Sequence, residues 1–233
     1  MANPFFKFKQ FTVYHDLCAM KVGTDGVLLG AWANCTGTNH ILDIGTGSGL
    51  IALMLAQRCP NTTIDALDID SDAFSQAKNN FINSQFKDRL NIFLCDFLAY
   101  QSTCYYDLII SNPPYFNDSL LSPDKARTRA RHSSELKIQS LLSKAETLLS
   151  ETGRIALILP VLNFDSTQAI AADNNLFLAR KTLVIPLEGR PPKRVLLEYS
   201  KKKLECEEKE LVIEISRHLY SPDYKTLTKD FYL

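Results

Sequence analysis

Asn112-Pro113-Pro114-Tyr115 holds the residues best suited to chemistry in this chain. An amino group attached to a ring or a carbonyl is a poor nucleophile, because its lone pair is delocalised. It is also too weakly acidic for a general base to help much. Two fixed acceptors, one for each N–H, aim the lone pair and stabilise positive charge as it develops. The Asn112 side-chain carbonyl and the Pro113 backbone carbonyl are such a pair. Pro113 and Pro114 stiffen the backbone, and Tyr115 offers a face to a planar group. Aspartate would replace Asn112 poorly, since the carboxamide is needed for its geometry. In isolation Asn-Pro-Pro is equally an ordinary loop. Here it follows the apolar run Tyr106 to Ser111, which reads as a buried strand.

Upstream, Leu42-Asp43-Ile44-Gly45-Thr46-Gly47-Ser48-Gly49 reads as a strand entering a glycine-rich turn. Glycine at 45, 47 and 49 permits a tight turn and a close approach of backbone to ligand. A nicotinamide or flavin site prefers G-x-G-x-x-G with a pyrophosphate on the helix N-terminus. The spacing here is G-x-G-x-G. Asp43 would repel a pyrophosphate but suits the cationic methionine end of S-adenosylmethionine (SAM). A nicotinamide, a flavin and a plain strand–helix turn are the rival readings. Asp68 stands about twenty residues further on, where a carboxylate accepts both ribose hydroxyls; the alternative is a helix cap, which Asp70 or Ser71 serves as well. Asp96 can accept an adenine amino group while Phe97 packs on the ring, or can be a turn aspartate.

These motifs need a scaffold. Strands are expected at Ile41 to Ile44, Thr63 to Leu67, Leu90 to Cys95, Tyr106 to Ser111 and Arg154 to Leu159. Helices are expected at Leu50 to Arg58, Asp72 to Gln85 and Leu136 to Ser150, the last closed by Thr152-Gly153. Thr182 to Pro186 and Arg194 to Tyr199, joined by Gly189-Arg190-Pro191-Pro192, read as an antiparallel pair. Alternation of this kind implies an α/β fold: a Rossmann-like, mostly parallel seven-stranded sheet, helices on both faces and an antiparallel edge strand. Ligands in such sheets bind at the carboxyl ends of strands, where strand order reverses. If the first and fourth strands are neighbours, Gly45–Gly49 and Asn112–Tyr115 share one cleft.

Composition narrows the classes. The 233 residues fit one α/β domain, with 1–40 covering cofactor and substrate, 41–200 as the core and 201–233 as an extension. No segment is apolar enough to span a membrane, and the N-terminus lacks a signal-peptide core. Cys18, Cys35, Cys59, Cys95, Cys104 and Cys206 contain no Cys-x-x-Cys and are expected as reduced cytosolic thiols, with no disulfide frame and no metal site. The 26 basic and 26 acidic side chains balance, which argues against a chain coated for nucleic acid but not against a local basic surface.

Asp43–Gly49 together with Asn112–Tyr115 resembles class I SAM-dependent amino-methyltransferases, many of which modify adenine, guanine or glutamine nitrogen. The flanks are sharper. Phe6–Phe11, Met20–Trp32, Arg129–His132, Pro192–Leu197 and Tyr224–Leu233 resemble the tRNA1(Val) (adenine-37-N6)-methyltransferase family across nearly the whole chain. The resemblance implies a cytoplasmic enzyme that methylates N6 of the adenosine 3′ of the anticodon in a valine tRNA. It implies that Asp43, Gly45, Gly47 and Gly49 hold SAM, Asp68 its ribose and Asp96 with Phe97 its adenine. Thr24 and Asp25 would close over the methionine end, and Asn112 to Tyr115 would take the target adenine, with Asn112 touching the cofactor too. Related enzymes often have glutamate where this chain has Asp68; either binds a ribose. Thr24-Asp25-Gly26 also fits a plain helix cap. Phe5, Phe6, Phe8 and Phe11 are either core or a lid over the base pocket.

The RNA would lie on basic residues near the cleft. Phe116 to Ser133 carries Lys125, Arg127, Arg129, Arg131 and His132, which either bind phosphate or form a solvated helix face. Arg180 to Lys203 holds eight lysines and arginines against Glu188 and Glu198; Arg190, Lys193 and Arg194 are its best phosphate candidates. The alternatives are a protein glutamine-N5 methyltransferase, another rRNA or DNA amino-methyltransferase, and a SAM-binding protein without catalysis. The first usually has an N-terminal helical domain, for which the residues before Leu42 are too few. No DNA-reading module is visible, and no obligate protein partner is evident.

Overall fold

The β-branched and leucine runs between the glycine and proline punctuation form strands buried on both faces, as central parallel strands must be. A computed structural model describes residues 3–18, 20–114 and 137–233. Its main sheet has nine strands: β3 (His40–Ile44), β4 (Thr63–Asp68), β5 (Leu90–Leu94), β6 (Tyr106–Ser111), β7 (Leu149–Pro160), β8 (Phe177–Leu187), β9 (Arg194–Ser200), β10 (Glu207–Ser216) and β11 (Leu219–Tyr220). They lie in the order β11-β10-β8-β9-β7-β6-β3-β4-β5. β1 (Phe5–Lys7) and β2 (Thr12–Tyr14) form a separate antiparallel hairpin. The chain leaves β3 for β4 on one side and returns through β6 on the other, so order reverses at β3.

Alternation along the central strands divides the interior. Ile41, Leu108, Ile110, Ala156 and Ile158 face one core, which α1 (Thr24–Trp32) and α2 (Leu50–Arg58) cover. Leu42, Ile44, Ile109, Ile155 and Leu157 face the other, under a helix over 137–148 (α4) and α5 (Phe164–Asp173). Residues Leu50 to Ala56 of α2 are all buried, because the helix is wedged between α1 and the sheet. α3 (Ser71–Ile82) is capped by Asp70, whose carboxylate accepts from the Asp72 and Ala73 amides, and ends three residues before the expected Gln85.

Several expectations need correction. Thr152-Gly153 does not close a helix but lies inside β7, where the register with β6 breaks. A Cβ on Gly153 would stand 2.8 Å from the Tyr106 carbonyl oxygen, so this glycine serves close strand approach rather than a cap. The seven expected strands are present, and β10 and β11 extend the sheet, β11 being an antiparallel edge. β9 is also antiparallel but sits inside, between β7 and β8. Glu207-Glu208-Lys209-Glu210 does not read as a strand; Arg180–Glu207 and Lys181–Glu208 pairs fasten it to β8. α6 (Pro222–Thr228) follows, capped by Ser221. α1 is capped by the Gly23 backbone alone, with Thr24 as its first residue.

The cysteine reading fails for one pair. Cys35 and Cys59, 24 residues apart, are joined in a disulfide with a Cα–Cα distance of 6.7 Å. They follow the ends of α1 and α2, and only the packing of those helices brings them together. Cys18, Cys95, Cys104 and Cys206 are free. Among the described residues no helix is long and apolar enough to cross a membrane, and no three His, Cys, Asp or Glu cluster as metal ligands.

Candidate active site

β3 and β6 pair directly, with Ile44 opposite Ser111. Gly45 and Asn112 are the next residues, so both motifs leave the sheet side by side. Ser111 Oγ donates to the Ile44 carbonyl (2.9 Å), which pins one exit to the other. The Gly45 and Thr46 amides both donate to the Leu67 carbonyl (2.9 and 3.0 Å) and draw the turn over the end of β4.

The three glycines are needed for different reasons. Gly45, Gly47 and Gly49 have φ of +67°, +58° and +80°, in the left-handed region. Cβ atoms at 45 and 47 would meet nothing within 4 Å, so these residues leave an open cradle. A Cβ at 49 would lie 2.5 Å from the Phe81 ring, so Gly49 is also a packing requirement between turn and α3.

Asp43 lies behind the turn rather than open to the cleft. It is fully buried, Oδ2 accepts from Thr46 Oγ1 (2.7 Å), and Oδ1 lacks a partner of normal hydrogen-bond geometry. Burial raises its pKa from 3.8 to about 7; the Thr46 hydroxyl and the Ala52 amide pull it back, and Asp68 pushes it further up. A buried carboxylate, incompletely satisfied under an open glycine cradle, fits the cationic end of SAM and not a pyrophosphate.

Asp68 accepts from the Gly47 amide (2.8 Å) and the Asp70 amide (3.0 Å). It is half-buried at the end of β4, and each oxygen retains acceptor capacity for a diol. Asp96 is a turn cap, its carboxylate accepting from the Leu98 amide (2.9 Å), and it also lines the cleft with Phe97. That cleft is a cavity of about 570 Å³ between Gly45, Asp96, Phe97, Ser111, Pro113 and Pro114. Its far wall is Ile138 and Leu141 of α4, with Leu159 of β7 and Asn163 after it. Sequence reasoning missed this wall, as it missed Ser111. A small hydroxyl residue ending a buried strand was the one available signal for Ser111; the wall residues carry none.

Asp25 and Arg194, assigned to cofactor and RNA, bind each other, with Arg194 Nε 2.8 Å from Asp25 Oδ2. The ion pair ties the first turn of α1 to the start of β9. Much of the second basic region is likewise engaged. Arg180 and Arg154 hold the buried Glu198 (3.3 and 3.4 Å), and Lys201 meets Glu146 (3.1 Å). Arg190 and Lys193 are exposed at the β8–β9 turn. Tyr115, Arg127, Arg129 and Arg131, with Lys125 and His132, lie outside the described residues. Thr24 is exposed at the start of α1. Cys18, not singled out from sequence, lies close enough to Asp68 and Asp70 that burial, then those carboxylates, push its thiol up to about 11.

The reversal of strand order at β3, the glycine cradle and the adjoining Asn112-Pro113-Pro114 define a class I SAM-dependent methyltransferase. The Methyltransferase small domain model matches residues 23–163. A tRNA1(Val) (adenine(37)-N6)-methyltransferase of Bacteroides thetaiotaomicron is 50% identical, covering 100% of this chain and 99% of its own. One from Trichodesmium erythraeum is 48% identical, covering 98% and 97%. The chain belongs to the tRNA1(Val) (adenine(37)-N6)-methyltransferase family. Among solved structures, the fold is shared with a predicted O-methyltransferase of Agrobacterium tumefaciens (TM-score 0.68, 17% identity, 89% of this chain and 96% of that one). It is shared also with the ribosomal protein L11 methylase of Lactobacillus delbrueckii (TM-score 0.54, 19% identity, 76% and 77%).

Proposed function

We propose that this protein, working as one methyltransferase domain in the cytoplasm, methylates N6 of adenosine 37 in tRNA1(Val). The observation that carries the reading is the Ser111–Ile44 hydrogen bond, which locks Asn112 beside the Gly45 cradle. SAM supplies an electrophilic methyl group on a sulfonium sulfur. Gly45 and Gly47 let the backbone approach the cofactor, with Asp43 behind them; Asp68 takes the ribose, and Asp96 and Phe97 the adenine. The Asn112 side-chain carbonyl and the Pro113 carbonyl accept the two N6 hydrogens of the target base. That directs the nitrogen lone pair and stabilises the charge it gains. The cavity of about 570 Å³ beside them is of a size for a planar base between largely apolar walls. An anticodon-loop base is unpaired, so little is lost in bringing it out of its stack.

The test is methyl transfer from labelled SAM to total tRNA, rRNA, DNA and protein. Label is expected in tRNA, at adenosine 37 of tRNA1(Val); label in protein alone would identify a glutamine methyltransferase instead. Asn112→Ala should cut turnover by about 100-fold or more while SAM affinity changes far less. Near-normal turnover in that variant would remove Asn112 from the chemistry.

A further inference from the structure

The hairpin of β1 and β2 turns Phe5, Lys7, Thr12 and Tyr14 to one face; on the other Val13 is buried, while Phe6 is 37% exposed. Phe8, Phe11 and Val13 are buried and anchor it. On its outer face Phe5 and Tyr14 are cross-strand partners, 37% and 46% exposed, with ring centroids 5.6 Å apart. Lys7 and Thr12 are the next pair on that face. No Asp or Glu occurs from Asn3 to His15, whereas Lys7 and Lys9 do, in a chain whose overall charge is zero. Lys9 is tied to the Lys229 carbonyl, and Lys7 has no carboxylate partner among the described residues. Beside this face opens a second cavity, of about 620 Å³, walled by Lys7, Gln10, Thr12, Tyr14 and Asn83.

The hairpin is also fixed relative to the cofactor turn. Asn80 of α3 is buried and uses its whole carboxamide as a brace. Its Oδ1 accepts from the Tyr14 amide (3.0 Å), and its Nδ2 donates to the Tyr14 carbonyl and to the Ser48 carbonyl (2.8 Å each). Tyr14 is therefore one side chain away from Gly47-Ser48-Gly49. An exposed aromatic pair could meet a protein, but protein interface centres are depleted in lysine. Rings bordered by an unpaired ammonium and a polar cleft match single-stranded nucleic acid, with bases on the rings and phosphate on the cation.

We infer that the outer face of this hairpin binds unpaired nucleotides flanking the target adenosine, stacking a base on Tyr14 and Phe5 and placing a phosphate at Lys7. This rests on the tRNA reading above. It adds a stacking platform, outside the adenine pocket, that holds the loop while the target base is turned inward.

Steady-state methylation of tRNA by the full chain tests it, comparing wild type, Tyr14→Leu, Tyr14→Trp and Lys7→Ala. Leucine keeps bulk on the exposed face without a stacking surface. Tyr14→Leu should raise KM for tRNA by about 10-fold, leaving kcat and SAM affinity within about twofold. Tyr14→Trp should retain the wild-type KM, and RNA should quench the fluorescence of the introduced indole. Lys7→Ala should lower the salt slope of tRNA binding by about one. An unchanged KM for Tyr14→Leu, or Tyr14→Trp behaving as Tyr14→Leu does, overturns the inference while wild-type activity on tRNA keeps the functional reading. Wild type inactive on tRNA overturns both, before any variant is made. Quenching by added protein but not by RNA would assign the face to a protein partner.

Discussion

Asp43 and Asn112 do opposite things with polar atoms. Asn112 leaves the sheet at the carboxyl end of β6, half-buried beside the glycine turn, where the proposed chemistry would use its carboxamide. Asp43 is sealed beneath the turn, with one oxygen lacking a partner of normal hydrogen-bond geometry and its pKa raised to about 7. A carboxyl raised in the folded state keeps its proton where the unfolded chain has lost it. Its contribution to stability is therefore unfavourable and grows as pH rises from about 4 to about 7, then levels off. A cation bound above the turn favours the carboxylate, so SAM affinity should rise over the upper part of that range. Calorimetry at pH 6 and pH 8 on wild type and Asp43→Asn checks this. The variant should bind more weakly at pH 8 and lose part of the pH dependence; identical pH dependence in both would mean that Asp43 does not sense the cofactor.

At the scale of elements, the turn between β3 and α2 is the proposed cofactor cradle. Its glycines separate by what surrounds them. Gly45→Ala places a Cβ in open space at φ +67°, so it should cost about 1–2 kcal/mol in left-handed strain, and SAM affinity should fall because the cradle is filled. Gly49→Ala places a Cβ 2.5 Å from the Phe81 ring at φ +80°, so strain and overpacking add, for about 3 kcal/mol or more. Urea denaturation with SAM titration distinguishes them: Gly45→Ala should remain folded and bind poorly, and Gly49→Ala should lose stability first. Equal stability of the two variants would contradict the contact with α3. The short apolar runs of β3 and β6, each stopped by glycine or proline, made these elements visible from sequence. The Gly153 error has the same root: a glycine after an apolar stretch reads as a helix stop, and only the neighbouring Tyr106 carbonyl shows that it permits strand approach.

For the whole molecule, charge is distributed by tertiary pairing rather than by sequence runs. The Arg180–Lys203 stretch reads as a basic patch, yet Arg180 and Lys181 face Glu207 and Glu208 across β8 and β10, and Arg180 also neutralises Glu198. Arg190 and Lys193, exposed at the β8–β9 turn, are the residues of this stretch best placed for phosphate. Replacing both by alanine should lower the salt slope of tRNA binding by about two and leave the urea midpoint alone. Arg180→Ala should do the reverse, costing about 3 kcal/mol because buried Glu198 loses a partner, with the slope unchanged. A flattened slope in Arg180→Ala would show that the ion pairs open for RNA.

The sequence by itself determined the strands of the sheet core and the two motifs at their ends; that β3 and β6 are neighbours came from the structure. Each strand and motif is written in local terms: an apolar run, a glycine spacing, a proline pair. It also carried the family, through motifs spread along the chain. Tertiary structure decided which polar groups are available. Asp43 and Asp68 are both acids near a strand end, but packing seals one under the turn and leaves the other half-exposed at the end of β4. Asp25 and Arg194 are far apart in sequence and joined in space, as are Cys35 and Cys59. Whether a charge is free depends on what the fold places within about 4 Å of it, and no local pattern records that.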